Sequence, residues 1–263
     1  MSPAAVERLP WIDWERPWLA PYRALGRRVE AELQLGARLP EALNLVAGRK
    51  PPMLGGKALA FVGAEERSQH ETYEGFIART GRVPTRDNLH DLFNGLVWLR
   101  YASMKARLIE LHAAEIARRG PGAPRGRSRD ALTLFDENGA VWAAPGVLLD
   151  ALQRRDWEEL FVRHADLWRD AEPVLVGHAL LEKLTRPRKA ITAHVWVVPE
   201  VVGPDVDRFL LEPPDEAWLA VRPHLAFPVL GLPRWWSANR IPGFYADSDV
   251  FRPAPSPRPA RNT

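Results

Sequence analysis

Leu89-His90-Asp91-Leu92-Phe93-Asn94-Gly95-Leu96-Val97-Trp98 (residues 89–98, LHDLFNGLVW) opens an amphipathic helix with a polar fault in its apolar face. Asp87 or Asn88 supplies a capping oxygen, and the spacing predicts a helix running to about Arg118. His90 and Asn94 sit one turn apart in it, among large hydrophobic neighbours. At about 100° per residue, Asn94 falls about 40° from His90, Tyr101 about 20°, Lys105 about 60° and His112 about 40°. One face therefore carries a mixed polar and aromatic stripe. The rise from His90 to His112 is roughly 33 Å in a straight helix, so both can serve one site only if the helix breaks, and Tyr101-Ala102-Ser103 is the place for that.

A second helix, predicted from Glu172 to Leu184, repeats the pattern with His178 and Glu182 at i and i+4. Ala190 to Val198 (AITAHVWVV) reads as a strand with Thr192, His194 and Trp196 on one face. Two imidazole-bearing helices beside a strand that presents a third imidazole hold the side chains that metal binding or acid–base catalysis requires. The catalytic candidates are His90, Asn94, His178, Glu182 and His194, and the metal-ligand candidates are His90, His178 and Glu182. A plainer reading stands beside this one, because a helical His is more often a partly buried residue bonded to backbone or carboxylate. Lys105 reads as a side chain that carries its ammonium out to solvent.

Asn138-Gly139 lies between two apolar runs, and both residues tolerate the positive φ of a tight primed turn. The expectation is a β-hairpin over 131–142, flanked by Asp130 and Asp136, which read as turn-capping groups with metal binding as the alternative. Helices are predicted at 21–35, 40–46, 71–79, 145–154, 156–168 and 172–185, and a buried strand at 57–63. The opening WIDWERPW (11–18) should lay its indoles over the rest of the chain.

With no cysteine in 263 residues, any metal would be held by His, Asp, Glu or Asn. No apolar run approaches the roughly 18–20 residues that cross a bilayer, and the first residues lack a leader pattern, so the expected location is cytoplasmic, with no membrane partner. A net charge of +3 does not favour nucleic acid, although Arg118, Arg119, Arg125, Arg127 and Arg129 cluster in a Gly/Pro-containing loop. Phosphate-binding glycine loops, a GxSxG elbow and a cysteine nucleophile are all missing.

Three segments together resemble one bacterial family, the domain of unknown function 3025: VPTRDNLHDLFNGLVW (83–98) followed by Lys105, then RDALTLFDENGA (129–140), and FPVLGLPRWWSANRIPGFYADSDVFRP (227–253). The resemblance runs from about Trp11 to Pro253. It implies an aromatic-Pro-Arg-Thr-Lys segment with an Asn four residues beyond its Lys, where this chain has Tyr101-Ala102-Ser103-Met104-Lys105 and Ile109. That departure favours the His90 and Asn94 end of the long helix.

The reading is an α+β fold, predominantly helical, with a small sheet that includes the 131–142 hairpin. Residues 1–253 are taken as one domain, with the Trp/Pro-rich opening packed on it, and 254–263 as a disordered Pro/Arg tail. The leading function is metal-assisted hydrolysis of a small-molecule substrate, with a divalent metal as the only cofactor these side chains point to. A non-catalytic ligand- or protein-binding module stays open, as does, more weakly, a nucleic-acid binder acting through the Arg-rich loop.

Overall fold

In this computed structural model residues 12–119, 126–198 and 224–254 are described. A 3-10 turn over Pro17–Tyr22 buries Trp18, Leu19 and Tyr22 and leads into α1 (Arg23–Gln34). Trp14 is buried as well, its ring lying where a Cβ on Gly26 would stand. Leu39–Ala47 forms α2, whose first backbone N–H donates to Asp87 Oδ1 at 2.7 Å. A short antiparallel pair, β1 (Met53–Leu54) and β2 (Lys57–Ala58), precedes β3 (Ala60–Gly63). From β3 the chain crosses through α3 (Tyr73–Thr80) to β4 (Arg82–Thr85), which pairs with β3 in parallel. Thr72 caps α3 by accepting the Gly75 N–H, and Gly81, left-handed at φ 71°, ends it.

The central helix is α4 (Leu89–Arg100). Asn88 starts it by accepting the Asp91 N–H at 2.8 Å, which leaves Asp87 to cap α2. Eight consecutive residues, Asp91 to Trp98, are buried, so this helix has hardly any solvent face and its polar members must find partners inside the protein. It stops at Tyr101, where φ −130° and ψ 50° leave the helical region, and α5 (Ala102–Arg119) sets off from there. The predicted continuous helix is thus two helices, broken at the anticipated residue. Burial explains the break: the Tyr101 ring is inside and meets Tyr22 edge-on at 5.9 Å.

The expected hairpin at 131–142 is not formed. Arg127–Asn138 is instead α6, burying Leu132 and Phe135 at i and i+3, and Gly139–Ala143 is β5. Gly139 has φ −75°, so no primed turn is present. What this glycine provides is room, because a Cβ there would lie 2.3 Å from the Phe135 carbonyl oxygen. The antiparallel hairpin in the fold is the β1–β2 pair.

After α7 (Gly146–Arg154), a single π turn at Glu159–Arg163 and a 3-10 turn at Ala165–Arg169 occupy the second predicted helical stretch. The third stretch divides into β6 (Val174–Leu175) and a shorter helix, α8 (His178–Lys183). Thr192–Val198 forms β7 and Leu225–Pro228 forms β8. The four-stranded sheet has the order β6-β5-β7-β8, with β5 and β7 parallel and the outer pairings antiparallel. Helices predominate and the sheets are small, an α+β arrangement around one hydrophobic core. Among the described residues no helix is long and apolar enough to cross a membrane. Trp11, Arg125, Pro199 to Pro223 and the tail beyond residue 254 lie outside the described residues.

One close approach sets the position of α8. The N–H groups of Val176 and Gly177 both donate to the Gly139 carbonyl, at 3.0 and 2.9 Å. A Cβ on Gly177 would stand 2.5–2.6 Å from backbone atoms of Asn138 and Gly139, which cannot swing aside as a side chain would. Hence Gly177→Ala should lower stability by about 2 kcal/mol, seen as a fall in melting temperature of roughly 4–8 °C. An unchanged melting temperature would show that the two segments are free to separate.

Candidate functional site

The buried polar residues of α4 are answered by α5, α6 and α8. Lys105, on the first turn of α5, is only 2% exposed. Its ammonium donates to Asn94 Oδ1 at 2.9 Å and to Asp136 Oδ1 of α6 at 2.5 Å. It does not reach solvent, because the break at Tyr101 turns α5 back and leaves the side chain facing inward. Asp136 is correspondingly a partner of Lys105 rather than a turn cap. Burial drives its carboxyl upward, but the Lys105 ammonium and the His178 imidazole together hold it below the usual carboxylate value. Asn94 donates its amide N–H to the Tyr73 hydroxyl oxygen at 2.7 Å. Asp91 closes the mouth of α4 with a bidentate Arg86 pair, both contacts at 3.0 Å.

One turn before Asn94, His90 meets α8. Its Nδ1 lies 3.0 Å from Glu182 Oε2, and because an ionised carboxylate only accepts, Nδ1 is the protonated nitrogen. Nε2 then points away from Glu182, and there it faces His178 Nε2 at 3.1 Å, with the rings edge-on. Glu137 Oε2 stands 3.6 Å from the same His178 nitrogen. His178 itself is 4% exposed, with Nδ1 3.8 Å from Asp136 Oδ2. Burial pushes its pKa down to about 4, so the ring is neutral near pH 7. Glu137 is shifted up, chiefly by burial, with the Asp136 charge beside it adding to the effect.

His90, Glu137 and His178 form the group whose ligand atoms all lie within 4.8 Å of one another. Bonds of about 2.0–2.1 Å to one tetrahedral ion put neighbouring ligand atoms roughly 3.3 Å apart; the two separations at His178 Nε2 are 3.1 and 3.6 Å, and that between His90 and Glu137 lies within 4.8 Å. Glu182 is placed on the far side of the His90 ring from this cluster, so it can orient and polarise that ring. His194 is elsewhere: it pairs with His224, ring centroids 4.6 Å apart, on the sheet beside Gly139. The triad and the Lys105 network open onto one cavity of about 420 Å³, whose walls include Tyr73, His90, Asn94, Lys105, His112 and Glu137. The helix break is what allows His90 and His112 to line it together.

All of these residues fall within the stretch, 59–255, that matches the family model described as a protein of unknown function (DUF3025). The chain belongs to this family. Neither a curated protein nor a solved structure matches it. The family segment therefore carries β3 to β8 and the whole cavity wall, while α1 and α2 precede it and pack on α4 from outside.

Tyr73 and Glu137 were missed by sequence reasoning, and Asp136 was placed at a turn. The two acids were masked by the hairpin reading. A helical one finds Asp136 four residues after Leu132 and beside Phe135, on the inward arc. For Tyr73, at the start of a short helix, no comparable signal exists.

Two outcomes follow from this geometry. Lys105→Met leaves the half-buried Asp136 carboxylate without its cation and should cost up to about 3 kcal/mol, of which Asp136→Asn in the same chain restores a part. In urea unfolding, equal stability of Lys105→Met and wild type would contradict the pair. His178 is protonated near pH 6.5 when unfolded and only near 4 when folded, so stability is full above about 6.5 and falls as pH drops toward 4. With a chelator present, the loss between pH 7 and 4.5 should shrink in His178→Asn by up to about 3 kcal/mol. An identical loss in the variant would mean that His178 titrates normally.

Proposed function

We propose that this chain is a metal-dependent hydrolase of a small polar substrate, with His90, His178 and Glu137 as the ligands of one divalent cation. The observation that carries the reading is the arrangement of nitrogens on the two imidazoles. Each ring has a carboxylate on its Nδ1 side, Glu182 at 3.0 Å and Asp136 at 3.8 Å, the two Nε2 atoms face each other at 3.1 Å, and Glu137 Oε2 lies 3.6 Å from His178 Nε2. A proton on His178 Nε2 would also span the 3.1 Å but would turn the His178 Nδ1 lone pair to the Asp136 carboxylate, whereas a second proton on His90, donated from Nε2, leaves both Nδ1 atoms protonated; the arrangement therefore suits one positive charge between the rings, and zinc content tells a metal ion from a proton. With a cation among the three groups both Nδ1 atoms are protonated and both face acids, the usual backing of metal-bound histidine.

Two imidazoles and a carboxylate with an open position suit zinc in hydrolytic sites. An ion held there supplies a Lewis acid that polarises a carbonyl or phosphoryl oxygen and acidifies water. Glu182 fixes the tautomer and direction of His90, while the Asp136 carboxylate, 3.8 Å from His178 Nδ1 and too far for a hydrogen bond, favours a protonated Nδ1 there by its charge alone. Lys105 and Asn94 form the polar wall next to them. Relative to the sequence reading, Glu182 moves from ligand to orienting group, Glu137 takes the third ligand position, and His194 has no part in the proposal. Cytoplasmic location belongs to the same proposal and follows only from the composition of the chain.

The test is zinc content and affinity in purified wild type and in variants confirmed as folded by circular dichroism. Wild type should bind one zinc ion per chain, His90→Ala, His178→Ala and Glu137→Ala should lose it, Glu182→Gln should bind roughly 10–100-fold more weakly, and His194→Ala should match wild type. p-Nitrophenyl acetate and p-nitrophenyl phosphate serve as general probes of zinc-dependent hydrolysis. Equal zinc content in wild type, His90→Ala and His178→Ala would reduce the triad to a hydrogen-bonded pair in a non-catalytic pocket.

A further inference from the structure

The hydrogen-bond chain that starts at Asp136 can run in only one direction. An ionised Asp136 only accepts and the Lys105 ammonium only donates, so Asn94 must turn Oδ1 to Lys105 and its amide N–H to the Tyr73 oxygen. Reversing the amide would set donor against donor. The Tyr73 oxygen is thereby fixed as the acceptor of that bond, and its own hydrogen must donate elsewhere. Tyr73 is part of the cavity wall, and its partner Asn94 is one helical turn from His90, where side chains lie about 5–6 Å apart at Cβ. Burial raises the phenol pKa, helped by the charges of Asp136 and Asp91, so the hydroxyl keeps its hydrogen throughout the neutral range.

We infer that the Tyr73 hydroxyl is a substrate-binding donor that holds an oxyanion, a carboxylate or phosphate group, in the cavity beside the His90, His178 and Glu137 cluster, with Lys105 and Asn94 as the positioning residues that aim it. The inference rests on the proposed function for the role of that cavity. It does not rest on it for the Tyr73 hydrogen being unspent on Asn94, which follows from Lys105 and the Asn94 amide. An anionic group suits the place only next to the proposed cation, since the wall also carries Glu74, Asp91, Asp136 and Glu137; of these, Asp91 is paired with Arg86 and Asp136 with Lys105, and Arg67 is a further cationic wall residue.

Inorganic phosphate and acetate are the two probes, titrated calorimetrically into zinc-loaded and chelator-treated protein, so that phosphate and carboxylate recognition are told apart. Tyr73→Phe should weaken whichever probe binds by roughly tenfold or more while leaving zinc affinity unchanged. Asn94→Asp provides the control for direction: its carboxylate can only accept, so it takes the Tyr73 hydrogen and turns it away from the cavity. In that background Tyr73→Phe should change probe affinity by less than about threefold, and the added charge cancels because it is present on both sides of the comparison.

The same loss in both backgrounds, no loss on removing the hydroxyl, or failure of zinc-loaded wild type to bind either probe would overturn the inference. Should Asn94→Asp not fold, the single Tyr73→Phe comparison decides it. Tyr73-dependent probe binding in a protein that takes up no zinc would reject the metal reading and keep the donor; normal zinc uptake with Tyr73-independent probe binding would do the reverse.

Discussion

A buried ammonium group is tolerated only where anions and acceptors meet it, and Lys105 draws them from two other helices. Asn94 reaches it from α4 and Asp136 from α6, so one side chain at the start of α5 fixes how three helices stand to one another. Leaving any of the three groups without its partners would cost several kcal/mol, more than the rearrangement of an ordinary apolar contact. The rest of the cavity follows from this junction. Asp136 held in place faces His178, Asn94 held in place directs Tyr73, and His90 lies one turn from Asn94 on the same helix.

The second constraint is backbone contact rather than charge. Gly177 lies against Asn138 and Gly139 without a side chain between them, which sets His178 opposite the last turn of α6, where Asp136 and Glu137 are. Two glycines and a lysine thus bring acids and imidazoles from α4, α6 and α8 into one small volume. Like charges so placed would repel if they were alone. The carboxylates are offset here by Lys105 and by the bidentate Arg86, and the proposed cation would add to them.

Much of this was legible in the sequence, and the failures have identifiable causes. Asn88 as the cap of α4, the polar residues His90 and Asn94 in its apolar face, the His178–Glu182 pair on one helix and the β7 strand can all be read from spacing. The requirement that the helix break near Tyr101 followed from its rise, although what forces the break, an aromatic ring drawn into the core against Tyr22, depends on distant residues. Asn138-Gly139 misled because its turn signal outweighed the helical spacing of Leu132 and Phe135. Its glycine answers to steric closeness with Phe135 and Gly177, which no local pattern records. Lys105 was read as solvent-seeking because a lysine's sequence neighbours do not reveal a carboxylate thirty-one residues away. Glu182 was visible as an acid near His178, yet its partner is His90, a contact between helices that only the fold establishes.

The central claim is that two imidazoles and one carboxylate converge on a single cation. Zinc K-edge X-ray absorption on the zinc-loaded protein tests it most directly, since imidazole rings scatter in a pattern that carboxylates and water do not reproduce. The account predicts a first shell of nitrogen and oxygen at about 2.0–2.1 Å, with the outer-shell signature of two histidines. A shell of oxygen alone, or one with a single histidine, would contradict it.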